Sequence, residues 1–325
     1  MQREQSRMLI TVAKASVVAL LASAALVQYL RVRDEARHVR LGQLKTIKGR
    51  RIHLVDRGSG PCIVLLHGNG ATVEDYISSG LVDILARSYR VILFDRPGFG
   101  LSGSRREDWS PELEAEVVEG ILDDLGLEKP VVVAHSWGTL VALNLVRRHA
   151  NRLSGLVLMS GYYSPTLRAD TAMQLPSSLP ILGGLLRNTI MPLFARLAAK
   201  PAIAKLFSPR PVPAAFTRSY DIGMATRPSQ LKSVADDTVA MPSAAARLSA
   251  SYGEIKLPVT IIAGVDDEIV STQYQSEKLA GEIKGAQLVR MPGVGHMVHH
   301  ADPGLVAKSI DELVARAKNK LAAVG

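Results

Sequence analysis

The sequence predicts an α/β fold built on a mostly parallel sheet with helices on both faces. Short β-branched apolar runs, bounded by glycine, proline or aspartate, alternate with helix-forming stretches along most of the chain. The runs that begin at Cys62, Val131, Leu153 and Val259 carry no charge, which is typical of parallel strands that are buried on both faces. One of them, beginning at Val131, ends at a serine between small residues and continues into a helix-forming stretch. These three observations define the predicted architecture.

The composition is that of an ordered globular protein. The 325 residues are 47% hydrophobic and 21% charged, enough to bury a sizeable core. The net charge of +9 does not indicate nucleic-acid binding, because lysine and arginine are scattered and no aromatic-studded basic motif is present. The single cysteine, Cys62, lies in an apolar run and excludes an intramolecular disulfide.

Residues 1–33 are predicted to form a membrane anchor. The stretch Met8–Leu30 is apolar except at a few positions, chiefly Lys14 and Gln28, and basic residues flank it. It reaches the roughly 20 residues of a membrane span if Lys14 extends to the interface. The alternative is a signal peptide cleaved near Ala22-Ser23-Ala24, leaving a secreted or periplasmic protein. The basic residues after the stretch favour a cytoplasmic domain, whereas a signal-type segment would place the domain outside the membrane. The orientation therefore stays open.

After the anchor, strands and helices alternate. A hairpin with strands at His38–Lys45 and Arg51–Val55, joined by a turn at Lys48-Gly49, is expected at the edge of the sheet. Besides the strand that begins at Val131, further strands are predicted at Cys62–Leu66, Arg90–Phe94, Leu153–Met159, Val259–Ala263 and Gln287–Arg290. Helices are predicted at Val73–Ala86, Pro111–Leu125, Leu140–Val146, Thr272–Ile283 and Pro303–Ala322.

One interval breaks this alternation. Residues 161–257 contain no clear strand, and helical stretches such as Leu193–Phe207 and Gln230–Tyr252 are rich in apolar residues. This content argues against a disordered linker. We therefore expect a helical cap at 161–257, inserted into a core of residues 38–160 and 258–322.

The cap stretch Leu179–Phe207 gives the only indication of the substrate. It mixes leucine, isoleucine, methionine and phenylalanine with Arg187, Arg196, Lys200 and Lys205. We expect the apolar residues to close a pocket and the charges to face water. A basic amphipathic surface that contacts a membrane is the alternative.

The stretch around Ser136 predicts a nucleophile. A strand runs into a sharp turn, and Ala134 and Gly138 lie two positions before and after the serine, where the turn leaves almost no room for a side chain. Ser136 would then lie at a helix N-terminus, where the dipole favours developing negative charge. The alternative is a serine that only caps the helix.

A serine needs a base to take its proton and a third group to orient that base. Histidine suits the base, since its pKa lies near neutrality. The strand Val259–Ala263 leads into Asp266 and Asp267, and the strand at Gln287 leads into His296. Both loops follow the carboxyl ends of buried strands, where open α/β sheets place their sites.

Residues 38–322 resemble the α/β-hydrolase superfamily, particularly its capped esterase-like and lipase-like members. Five motifs carry the resemblance: His67-Gly68 for the oxyanion loop, Asp95–Ser102 for a D-x-x-G-x-G-x-S turn, Ala134–Gly138 for the elbow, Gly264-x-x-Asp267 for the acid and Gly295-His296 for the base. The resemblance implies a triad of Ser136, His296 and Asp267. It also implies an oxyanion hole formed by the backbone N–H groups of Asn69 and Trp137, with supporting positions His67, Gly68, Asp95 and Gly138.

Other acidic residues compete for the triad. Matching the family pattern G-x-x-D-x-I-V selects Asp267, with Asp266 as the alternative, and Glu268 is expected to belong to a solvated loop. His67 is expected to brace the oxyanion loop by hydrogen bonding rather than to accept protons.

Three further histidines lie near the site in sequence. His135 should pack beneath the serine, and His299 and His300 are expected either at the surface or behind the triad. Metal binding by this set is not predicted, because no H-x-x-E-H or similar spacing occurs.

The predicted function is hydrolysis of a small lipophilic ester through an acyl-enzyme, without a cofactor and without nucleic acid, the substrate being reached from the bilayer beside the anchor. No oligomeric state is predicted. A serine at position 136 argues against the haloalkane dehalogenase and epoxide hydrolase branches, whose nucleophile is aspartate. A carbon–carbon bond hydrolase, a cofactor-free haloperoxidase-like enzyme and a non-catalytic membrane-tethered binding protein remain as alternatives.

Overall fold

A computed structural model describes residues 2–104, 109–166 and 169–322 of the chain. Its sheet has eight strands in the order β1-β2-β4-β3-β5-β6-β7-β8. The strands are Gln43–Ile47 (β1), Arg50–Arg57 (β2), Cys62–Leu66 (β3), Arg90–Phe94 (β4), Val131–His135 (β5), Gly155–Met159 (β6), Val259–Gly264 (β7) and Gln287–Met291 (β8).

The sheet is parallel except at one edge. β1 and β2 form the predicted antiparallel hairpin, β2 pairs antiparallel with β4, and every pair from β4 to β8 is parallel. Two large clusters of buried apolar residues cover its faces, so the central strands are almost wholly buried. The carboxyl ends of the parallel strands therefore meet at one edge, which holds the site described below.

Helices cover both faces of the sheet. The first part of the chain forms α1 (Gln2–Arg37), α2 (Val73–Ser78), α3 (Leu81–Leu85), α4 (Pro111–Asp124) and α5 (Trp137–His149). Between β6 and β7 lie α6 (Ala169–Ser178), α7 (Pro180–Asn188), α8 (Met191–Phe207), α9 (Ala214–Ser219), α10 (Ile222–Ala225) and α11 (Pro228–Ser249). The last part forms α12 (Lys278–Glu282), α13 (Val298–Ala301) and α14 (Pro303–Ala322).

Several predicted boundaries differ from the observed ones. The helix expected at Val73–Ala86 is two helices, because Gly80 has a φ of +81° and ends the first of them. The helix expected at Thr272–Ile283 begins as a π-helical turn at Gln273–Glu277. The first strand starts at Gln43 rather than at His38, which immediately follows α1.

His38 has a different role from the predicted one. Its Nδ1 lies 3.2 Å from Asp221 Oδ2 of the segment before α10, and its Nε2 lies 3.2 Å from Glu74 Oε1 of α2. Hydrogen bonds to Asp221 and Glu74 raise the pKa of His38 to about 9, although partial burial opposes this. The imidazole is therefore held between two carboxylates, and His38 lies outside the sheet, which begins at Gln43.

The predicted environment of the stretch Leu179–Phe207 is only partly correct. Ile203 and Leu206 do line a cavity, but Phe194 and Leu197 on the same helix are 72% and 82% exposed. Arg187 is buried and donates to the carbonyl oxygen of Ser177, so this basic side chain does not face water. The apolar side chains of the stretch thus lie on two faces, one that lines the cavity and one that is exposed.

Among the described residues, α1 is the one helix long and apolar enough to span a membrane. Its C-terminal end is fastened to the cap. Asp34 pairs with Arg196 of α8, and Glu35 Oε1 lies 3.1 Å from Arg227 Nη1 at the start of α11. The end of α1 therefore docks against cap helices through side-chain ion pairs.

Candidate active site

Ser136 lies in a sharp turn between β5 and α5. Its φ of 51° is a strained conformation for a residue with a side chain, and its N–H donates to the carbonyl oxygen of Met159 at 2.9 Å. A Cβ at Gly138 would approach the carbonyl oxygens of Leu66 at 2.5 Å and His67 at 2.9 Å, so only glycine fits there. The turn has the backbone strain and close approach expected of a nucleophile elbow.

Asp267 and His296 lie side by side on the loops after β7 and β8. His296 Nδ1 donates to Asp267 Oδ2 at 2.8 Å, and both side chains are almost fully buried. The other carboxylate oxygen of Asp267 accepts the N–H groups of Ile269 and Val270 at 2.8 and 2.9 Å. The carboxylate is thus locked by the backbone, and the bond to Nδ1 leaves His296 Nε2 free to accept a proton.

The two competing acidic residues have other partners. Asp266 Oδ2 accepts the N–H of Gly293 at 2.8 Å, and Glu268 Oε1 accepts the hydroxyl of Ser208 at 3.0 Å. Asp266 and Glu268 are exposed residues, whereas the buried side chain of Asp267 faces the imidazole. The geometry favours Asp267 over Asp266 as the partner of His296.

The segment after β3 lies against the elbow. His67 Nε2 accepts the N–H of Arg96 at 2.9 Å, and its Nδ1 donates to the carbonyl oxygen of Gly68 at 2.8 Å. The Asn69 side chain donates to Val234 O at 3.1 Å and to a hydroxyl of α11. Both sides of the segment are therefore held, which fixes the position of the Asn69 backbone N–H.

Asp95 holds the turn after β4 rather than facing the cavity. Its carboxylate accepts the N–H groups of Val73 at 2.9 Å and Leu101 at 2.8 Å, and the Nδ1–H of His53 at 2.7 Å. Both His53 and Asp95 are almost completely buried. This network connects the turn after β4 to α2 and to the hairpin strand β2.

Arg96 is a residue that sequence reasoning missed. Its guanidinium donates to both carboxylate oxygens of Glu114 at 2.7 and 2.8 Å, to Asp237 of α11 at 2.8 Å and to the carbonyl oxygen of Gly68 at 3.1 Å. The side chains of Arg96, Glu114 and Asp237 are at most 2% exposed. The buried guanidinium of Arg96 thus links α4 of the core, α11 of the cap and the segment after β3 that begins at His67. The only signal in the sequence was a charged residue inside the Asp95–Ser102 motif.

A cavity of about 320 Å³ opens above the elbow. Ser136, His135 and His296 contribute to its floor, together with the segment Gly68–Ala71. The cap supplies mainly small and apolar side chains, including Ala195, Ala199, Ala202, Ile203, Leu206, Phe216, Val234 and Met241. Its charged lining residues within the described ranges are Asp75 and Asp170, and it has no lysine or arginine there.

The three additional histidines all lie behind the triad. His135 Nε2 donates to the carbonyl oxygen of His296 at 3.1 Å, consistent with its expected place beneath the serine. The surface alternative for His299 and His300 is wrong, because both side chains are at most 1% exposed and both bond to Asp75. Asp75 was not identified from the sequence, because it lies on α2, more than two hundred residues away.

Comparison with known proteins identifies relatives of similar size. A hydrolase of 2-hydroxy-6-oxo-6-phenylhexa-2,4-dienoate from Burkholderia cepacia is 28% identical over 79% of this chain and 90% of its own length. Haloalkane dehalogenase 2 of Mycobacterium tuberculosis is 26% identical over 81% of this chain and 91% of its own length.

Solved structures share the fold at lower identity. A thermophilic esterase from Thermogutta terrifontis superposes with a TM-score of 0.69 at 21% identity, covering 85% of this chain and 99% of its own. A membrane phospholipase A superposes with a TM-score of 0.62 at 18% identity, covering 98% of this chain and 100% of its own. A family model described as the alpha/beta hydrolase fold matches residues 61–303, well over half of the sequence. The chain belongs to the α/β-hydrolase family.

Proposed function

We propose that this chain is a membrane-anchored serine hydrolase that cleaves a lipophilic carboxylic ester through an acyl-enzyme. One observation carries the proposal. Ser136, held in a strained turn, borders the same cavity as the imidazole that Asp267 orients through a bond of 2.8 Å. A serine that merely capped α5 would need neither the strained φ nor a buried Asp–His pair beside it.

The mechanism follows from these positions. His296 Nε2 takes the proton of Ser136 as the hydroxyl oxygen attacks the acyl carbonyl, and Asp267 stabilises the resulting imidazolium. The N–H groups of Asn69 and Trp137 stabilise the oxyanion, Trp137 being the first residue of α5, where the helix dipole adds to the effect. His296 then returns the proton to the leaving alcohol, and water hydrolyses the acyl-enzyme by the same route.

The charge of the cavity bears on the substrate class. A substrate that carries carboxylates, such as the dienoate named for the relative from Burkholderia cepacia, would meet Asp75 and Asp170 there. No lysine or arginine of the described lining offers it a countercharge. An uncharged lipophilic ester matches this lining better. Carbon–carbon bond hydrolysis is the second candidate, favoured by the 28% identity to such hydrolases.

The exposed surface of the cap supports approach from a bilayer. Ile181, Leu182, Leu185, Phe194 and Leu197, here called the cap patch, are between 46% and 90% exposed. Such a concentration of exposed apolar residues marks an interaction surface. Arg196 lies on α8 between Phe194 and Leu197 and pairs with Asp34 of α1. The cap patch therefore belongs to the part of the molecule beside the proposed anchor. The opposite face of α8 lines the cavity, so one helix separates the cavity from the proposed bilayer.

The first experiment is labelling of the detergent-solubilised full chain with a fluorophosphonate probe. We expect wild type to be labelled, and Ser136→Ala and His296→Ala to lose labelling, because the probe reacts with an activated serine. Hydrolysis of uncharged esters of graded acyl length, measured beside a 2-hydroxy-6-oxo-dienoate, then separates the two candidate reactions.

Two outcomes would contradict the proposal. Absence of labelling in folded wild type would favour a non-catalytic binding protein. Turnover of the dienoate at a kcat/KM above that of every ester would favour the carbon–carbon bond hydrolase.

A further inference from the structure

Four imidazoles form a row behind the cavity. The ring centres of His296 and His135 lie 4.8 Å apart, those of His135 and His299 4.7 Å apart, and those of His299 and His300 4.7 Å apart. At the far end of this row, Asp75 accepts His299 Nε2 at 3.1 Å and His300 Nε2 at 2.8 Å. The mechanism uses His296 at one end and leaves the group at the other end without a function.

Asp75 is a buried carboxylate whose side-chain partners in the described part of the chain are two histidines. Its side chain is 2% exposed, and within the described ranges its carboxylate bonds only to His299 and His300. A carboxylate in a site that excludes water is stabilised by hydrogen bonds and by a nearby cation, and an ion bound between Asp75, His299 and His300 would supply that charge.

The donor atoms suit zinc. Two imidazole nitrogens and one carboxylate oxygen are common ligands of Zn²⁺, and here all three lie within 4.8 Å of one another. Zinc–ligand bonds of about 2.0–2.2 Å place the ligands of one tetrahedral ion about 3.4 Å apart, so small side-chain movements would suffice. The buried Nδ1 atom of His299 has no hydrogen-bond partner among the described residues, so this ring has a nitrogen that its bond to Asp75 does not use.

We propose that Asp75, His299 and His300 bind one Zn²⁺ ion and that the bound ion slows the hydrolase. Asp75 and His135 line the 320 Å³ cavity, which gives the ion a route to the site. The ion would add positive charge at the end of the row that leads to His296. Because ester hydrolysis forms an imidazolium at His296, this charge opposes the transition state.

The site also touches the cap. The ring of His300 packs edge-to-face against Phe207 and Phe216, with ring centres 5.3 Å apart in both pairs. His300 is therefore held from two sides, by Asp75 of the core and by two cap aromatics. This packing limits the rotation of one proposed ligand and favours a preformed site.

The test is a zinc titration of the full chain in detergent. The protein is first stripped with EDTA, and ZnCl₂ is then added in competition with a chromogenic chelator. We expect one ion per chain in wild type, and at least a tenfold increase in Kd in Asp75→Asn and in His300→Gln. His149→Gln is the matched control, because His149 is a partly exposed histidine on α5 that pairs with Glu119, and its Kd should equal that of wild type.

The variants also separate this site from the triad. His296→Ala should keep its zinc affinity. Loss of binding in His296→Ala with unchanged binding in Asp75→Asn would place the ion on the Asp267–His296 pair and overturn the proposal. Equal Kd values in wild type, Asp75→Asn and His300→Gln would overturn it as well. Thermal unfolding of each apo variant identifies any that fails to fold, and stoichiometry is read without reference to ester hydrolysis.

Discussion

The strand-built core and the helical cap place their apolar side chains in opposite ways. In the core, β5, β6 and β7 are buried at every residue, and polar groups gather at the carboxyl edge of the sheet. In the cap, α8 directs Ala199 and Ile203 to the cavity while Phe194 and Leu197 are exposed. Burial away from water accounts for the core, whereas the exposed cap patch marks an interaction surface, which the proposed function assigns to a bilayer.

The largest effect is expected in the core, at the neighbouring acidic residues Asp267 and Asp266. Asp267→Asn should lower kcat by about 10⁴-fold, because the amide no longer stabilises the imidazolium and can favour the wrong tautomer. Asp266→Asn, one residue away, should change kcat by less than about twofold, since its carboxylate accepts a loop N–H and does not face His296. Steady-state hydrolysis of an ester accepted by wild type measures both. If kcat fell equally in Asp267→Asn and Asp266→Asn, Asp267 would not be the residue that orients His296.

A smaller effect is expected at the cap patch. The double variant Phe194→Asp, Leu197→Asp should lower hydrolysis of esters embedded in phospholipid vesicles by about tenfold, because charged side chains cannot enter the acyl region. Hydrolysis of a short water-soluble ester by the same protein should stay unchanged. Leu44→Asp, at a 40% exposed position on edge strand β1, is the matched control. Parallel losses on both substrates would refute the proposed docking of the cap.

The smallest effect is expected where α1 meets the cap. The pKa of His38, raised in the folded protein to about 9 by Asp221 and Glu74, makes the protonated form stabilising. This contribution is complete below the ordinary pKa of 6.5 and is lost as the pH rises through about 9. Wild type should therefore unfold a few degrees above His38→Gln at pH 6, and the two Tm values should converge above pH 9. A constant difference across this range would show that His38 contributes no charge.

The core was the more predictable region, for a physical reason. Strands β3 and β4 were predicted to the residue, because a strand buried on both faces must be continuously apolar and its ends are marked by turn residues. The loops that carry Asp267 and His296 followed from the same boundaries. Local sequence is sufficient wherever one strand and one turn decide the position of a side chain.

What the sequence did not reveal depends on distant pairs. Arg96 finds Asp237 across 141 positions, and Asp75 finds His299 across 224. No local pattern records such a contact. The burial of Arg187 was missed for a related reason, since its partner is a carbonyl oxygen in the neighbouring helix, and any residue can supply that oxygen. Tertiary packing therefore decides the electrostatics behind the site, while local pattern decides its strands.

The insertion of the cap between β6 and β7 also sets the order in which the protein is made. The ribosome completes α1 and the Ser136 turn before it begins the cap, and Asp267 and His296 emerge only after the cap has been synthesised. Domains tend to fold from the N-terminus as the chain emerges, and contacts between distant segments form late. The proposed nucleophile would therefore lack its base throughout the synthesis of the cap, so the nascent chain would not have the proposed activity until the cap covers the cavity.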